Sequence, residues 1–218
     1  MKNKILTLLI LISIAINSYA QQKVTKFLGI PIDGYKIDMI HKLEKKGFIY
    51  DSKRDCLKGE FNGHDVDVFV VTNNNKVYRI MLADQNWSNE SDIKIRFNKL
   101  CSQFEKNGKY IKAPLADDYK LTDEDNLSYQ MLVDKKRIEA VYYQIDSKEE
   151  FQKEIDDYKF NVPDQITDTI GIFTKYLTDI MELFTNRPVW FMIDEKYGEY
   201  RILMYYDNEL NHSDGEDL

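Results

Sequence analysis

The 218-residue sequence predicts an α+β fold, an antiparallel β-meander and hairpins packed against amphipathic helices, and three observations lead there. Asn62-Gly63 separates two alternating apolar runs, a strong hairpin signal because both central positions of the tight turn need φ > 0. Residues 88–107 and 163–184 carry apolar side chains at helical spacing. Strand-like and helix-like segments come in blocks, without the regular alternation that a doubly wound parallel sheet requires.

Taken in order, the chain opens with Lys2 and Lys4, an apolar run over residues 5–16 broken only by Thr7 and Ser13, and small residues at Ser18 and Ala20. That order predicts a secretory signal peptide over residues 1–20, cleaved after Ala20. The run is shorter than the roughly 20 apolar residues a bilayer span needs, and no Cys follows it for lipid attachment. The mature form is therefore expected to be soluble, without a membrane span, and periplasmic or secreted.

Residues 26–30 read as a strand that stops at Pro31, and Asp33-Gly34 turns the chain into a helix over 35–46 closed by Gly47. Residues 56–61 and 64–72 flank Asn62-Gly63, and Asn73-Asn74-Asn75 returns the chain into 76–83 to complete the meander. In the helix over 88–107, Ile93, Phe97, Leu100, Cys101 and Phe104 share the face that must pack on the sheet. Residues 113–126 are polar, hold Pro114 and a run of acids, and read as a connection between an N-terminal half (21–112) and a C-terminal half (127–207).

In the second half, residues 127–133 and 137–145 read as a hairpin around Asp134-Lys135-Lys136, and Ser147 with Glu150 forms a capping box opening a helix to about residue 160. Pro163 starts another helix, striped by Ile166, Ile170, Phe173, Leu177, Ile180, Met181 and Phe184. Pro188 closes that segment, residues 189–193 and 200–206 form a last hairpin around Lys196-Tyr197-Gly198, and 208–218 is an acidic tail. Each half thus holds antiparallel strands and two helices, an arrangement of two pseudo-similar halves with no residue-level repeat between them.

Composition narrows the function. The net charge is -7, loss of Lys2 and Lys4 deepens it, and Lys and Arg show no clustering, which argues against nucleic acid as a partner. Cys56 and Cys101 allow one bridge at most, and the place of Cys101 in an apolar stripe favours free thiols. His41, His64 and His212 stand in no nucleophile context and at no metal-ligand spacing, so each is expected to be a solvated surface residue, and no cofactor or metal is implied. The tail has oxygen ligands but lacks the sixth-position glycine of a calcium loop. Acid pairs such as Asp117-Asp118 and Asp156-Asp157 are expected by chance among 37 acids.

Aromatics are enriched, with 15 Tyr, and fall in doublets whose members point to opposite faces of a strand. Trp190, Tyr197 and Tyr200 gather around the last turn and are the candidate binding residues; burial within the chain is the competing reading. Residues 27–34 (FLGIPIDG), 59–63 (GEFNG), 73–81 (NNNKVYRIM), 93–98 (IKIRFN), 189–193 (VWFMI), 205–209 (YYDNE) and 215–218 (GEDL) together resemble a family of exported Bacteroidetes proteins of unknown function. The resemblance implies export and a single unit, and carries over no catalytic residue. The leading expectation is an exported module that binds another envelope or extracellular protein without catalysis. The alternative is a hydrolase whose carboxylates converge only in the fold.

Overall fold

The computed structural model describes residues 24–113, 116, 118–149, 152–153 and 187–212. The chain runs β1 (Lys26–Phe27), β2 (Ile30–Pro31), α1 (Lys36–Glu44), β3 (Ile49–Asp51), β4 (Cys56–Phe61), β5 (His64–Asn73), β6 (Lys76–Asp84), α2 (Glu90–Lys106) and β7 (Tyr110–Lys112). It continues through α3 (Leu127–Leu132), β8 (Glu139–Gln144), β9 (Pro188–Lys196) and β10 (Glu199–Asp207) to a single 3-10 turn, Glu209–Asn211. β1 and β2 form a miniature hairpin, and the other strands make one antiparallel eight-stranded sheet in the order β3-β4-β5-β6-β10-β9-β8-β7. The α+β class with antiparallel sheets is as expected. Among the described residues no helix is long and apolar enough to cross a membrane.

The tight turns set this register. Leu28-Gly29, Asn62-Gly63, Asn74-Asn75 and Tyr197-Gly198 each place both central residues at positive φ, the twist that joins adjacent right-twisted strands without splaying them. β9 and β10 are paired from Glu199↔Lys196 to Tyr206↔Val189, and β10 crosses to β6 through Leu203↔Ala83 to Asp207↔Arg79. That pairing makes one sheet of strands from before and after residues 113–126.

Period-2 alternation then sorts the side chains. Val66, Val68, Val70, Ile80, Leu82, Val189, Phe191, Ile193, Ile202, Met204 and Tyr206 face the helices in one core, with Met39, Ile40 and Leu43 of α1 and Ile93, Phe97, Leu100, Cys101 and Phe104 of α2. All five residues expected on the sheet-facing side of α2 are buried. Leu203, Tyr205 and Ala83 form a smaller cluster with Phe69, Met81, Trp190 and Met192 on the opposite, outer face. Cys56 and Cys101 are both free and buried.

Two sequence expectations are corrected. Residues 26–30 are not one strand, because Leu28 turns at φ 51 and folds Ile30 back against Phe27. Residues 127–133 do not pair with 137–145. The Asn126 side chain accepts from the Tyr129 amide and caps a helix there, and β8 pairs instead with β7 and β9. Pro188 pairs with Tyr143 as the first residue of β9, one position ahead of the expected strand. The expected signal peptide, most of the helix over 147–160, the stripe over 163–184, and the tail beyond His212 lie outside the described residues.

Candidate functional site

Strands β1 and β2 are too short to hold themselves in place, so side chains tie them down. The Gln144 amide accepts from the Lys26 N–H at 2.7 Å and donates to the Lys26 carbonyl at 3.0 Å, copying the two bonds of a strand pair. Asn208 donates to the Ile32 carbonyl at 2.7 Å, and Thr25 Oγ1 donates to the Asp207 carbonyl. The fixed hairpin stands opposite the last two turns of α2 and leaves a cleft of about 910 Å³ over the helix-side face of the sheet.

The cleft combines an aromatic and aliphatic floor with polar and charged residues around it. Met204 and Tyr206 of β10, Leu100 and Phe104 of α2, Phe61 of β4 and Tyr110 of β7 line it. These rings form a continuous pack: Phe27 lies 5.3 Å from Phe61 and 5.0 Å from Tyr206, and Phe104 lies 4.6 Å from Tyr110. Several of the polar groups are already matched to one another. Gln144 also donates to the Tyr110 hydroxyl at 3.2 Å, and Tyr110 shares a hydrogen bond with Tyr206. Burial raises both phenols above their ordinary value, Tyr206 well above it, so they stay neutral at any physiological pH. Where the β4–β5 turn meets α2, Asn62 and Gln103 exchange amide hydrogen bonds of 2.7 and 3.2 Å.

The residues singled out from sequence fall in three different places. Trp190 lies on the outer face, stacked on Tyr205 with centroids 3.9 Å apart, and its indole N–H donates to Asp207 at 2.9 Å. Asp207 is in turn gripped by Arg79 at 2.6 and 2.8 Å, with the guanidinium over the Tyr205 ring. Tyr197 occupies the turn at 92% exposure. Tyr200 is corrected from a contact residue to a core residue: it is 1% exposed, points to the helix side, and its hydroxyl meets Ser128 at 2.5 Å. Adjacent positions on a strand face opposite ways, so Trp190 and Tyr200 could share a surface only if both projected outward.

Among the described residues, neither histidines nor acids gather into a reactive group. His41 meets Glu44 at 3.1 Å on the surface. His64 is half-buried, and burial together with the nearby Arg96 charge lowers its pKa. Among the described residues, no three His, Cys, Asp or Glu side chains are placed to hold a metal ion. Burial pushes the Cys101 thiol up to about 11, the opposite of an activated nucleophile.

Sequence reasoning missed the cleft because its walls come from positions 26 to 206. The one available signal was Gln144, an amide in register with the inward-facing Ala140 and Tyr142. No family model, curated protein or solved structure matches the chain.

Proposed function

We propose that this protein is an exported binding module that holds a small amphipathic ligand in the cleft between hairpin β1–β2 and α2. One observation carries the reading: a cleft of about 910 Å³, walled by four aromatic rings, in which the polar groups described above already satisfy one another. Ligand sites are concave, of roughly 300–1,000 Å³, and mainly apolar with few polar groups. A ligand entering this cleft buries apolar surface without leaving the Gln144, Tyr110, Asn62 or Gln103 groups unpaired, so desolvation costs little. Export is supported by the signal-like residues 1–20. Recognition of an envelope protein through Trp190, Tyr197 and Tyr200 together gains no support, because Tyr200 is buried in the core on the helix side and Trp190 belongs to the outer face.

The test is a fluorescence titration of the mature protein with N-phenyl-1-naphthylamine, an uncharged apolar probe. Saturable binding to one site is expected, and Gln103→Trp, which fills the cleft from the α2 wall, should abolish it while circular dichroism stays unchanged. Unsaturable binding, or equal binding by the filled variant, would overturn the proposal.

A further inference from the structure

We infer that the ligand class is an amphipathic organic acid, an aromatic or aliphatic body ending in a carboxylate, with the carboxylate held by Lys26 and Lys109. The inference rests on the cleft reading above and goes beyond it to the chemistry of the ligand's polar end. Both lysines line the cleft at the end where β1 meets β8. Lys26 is fixed there by its backbone bonds to Gln144, and Lys109 by its carbonyl, which accepts from the Ile145 N–H at 2.9 Å.

The charges around that end decide the sign. Two carboxylates, Glu60 and Asp146, are among the described residues lining the cleft. Asp146 accepts from Arg187 at 3.3 Å and is neutralised by it. Glu60 stands on β4, beside Phe61 and Asn62. Four other lysines, Lys36, Lys58, Lys94 and Lys120, each meet a carboxylate within 3.3 Å, whereas neither Lys26 nor Lys109 does among the described residues. With Asp146 matched to Arg187, Lys26 and Lys109 outnumber the remaining lining carboxylate, Glu60, in a chain of net charge -7. A carboxylate is met most cheaply at the rim, by the exposed Lys26 and Lys109, where ammonium groups need not be dehydrated.

The experiment compares dansyl-undecanoate with its methyl ester on the wild-type mature protein, on Lys26→Met, on Lys109→Met and on Gln103→Trp. The acid should bind more tightly than the ester by about tenfold or more. Each lysine variant should weaken the acid by about fivefold, the worth of one exposed ion pair near 1 kcal/mol, and leave the ester unchanged. The preference should also shrink at molar salt, where screening acts within about 3 Å. Equal affinities for acid and ester, with both lost in Gln103→Trp, would overturn the acid assignment and leave the cleft reading standing. Binding of neither probe would overturn both.

Discussion

Gly59→Ala tests the packing beneath the cleft. Gly59 lies in β4 opposite Val66, and a Cβ built on it falls 2.6 Å from Phe48 Cδ1, 3.0 Å from Cε1 and 3.3 Å from Cγ. Carbon atoms rest about 3.5–4.0 Å apart, so the ring must retreat by about 1 Å. It has little room, because Phe48 is buried and packs 6.3 Å from Phe27, whose ring in turn lies 5.0 Å from Tyr206 on the cleft floor. Overpacking of this kind costs about 1–3 kcal/mol, and the smaller unfolded-state entropy of Ala offsets about 0.4–1 kcal/mol. A net loss of about 1–2 kcal/mol should lower the melting temperature by about 2–8 °C in a domain of this size. Thermal unfolding followed by circular dichroism measures it. The double variant with Phe48→Leu separates the clash from other causes: in that background Gly59→Ala should be near neutral, a coupling of about 1–2 kcal/mol. An unchanged melting temperature, or a loss that persists undiminished once the Phe48 ring is gone, would refute the reasoning.

Three further outcomes are expected. Gly63→Val should destabilise by about 1–2 kcal/mol in urea unfolding: Gly63 sits at φ 76 and its Cβ would touch nothing, so the cost is purely that of forcing a β-branched residue into the left-handed region. Cys56 and Cys101 should resist a thiol reagent in the native protein at neutral pH and both label under denaturing, non-reducing conditions, since each is buried and burial raises each thiol pKa; failure of either to label when unfolded would reveal a bridge. Because the folded pKa of His64 lies below its unfolded value near 6.5, the unfolded chain binds the proton first. Stability should therefore fall as pH drops from about 6.5 through the folded pKa, and His64→Gln should flatten the melting temperature across that window.

The legible parts of this fold were those where one local rule had no competitor. Asn62-Gly63 announced its turn because Asn and Gly together tolerate the conformation, and residues 93–104 announced α2 because five apolar side chains fall on one stripe. Leu28 carried no such warning, since nothing intrinsic to leucine favours φ 51; the turn exists because Gln144, 118 positions beyond Lys26, pins the strand that precedes it. β3 and β7 have three residues each, too few for a period of two to register. Over 127–133, a capping Asn and one helical turn outweighed a pattern that also fits a strand. The doublet rule did foresee that Trp190 and Phe191 face opposite ways, but which face the helices cover is decided by packing. The cleft was illegible for a related reason: its floor is apolar and aromatic, chemically the same as core, and only the geometry of the pinned hairpin separates cavity from interior.

The position of β10 has a consequence for how the protein comes into being. β10, the last strand among the described residues, sits between β6 and β9, deep inside the sheet. While the polypeptide is still being made, β6 has its partner on the β5 side alone, and its other rim offers a row of bare amides and carbonyls. Such a rim recruits any extended chain it meets, including another nascent copy. Closing it joins Arg79 to Asp207 across 128 positions, a slow, entropically costly search. A chain released before that strand emerges would keep the rim open permanently, so premature termination near the C-terminus should yield aggregate in place of a merely weakened protein.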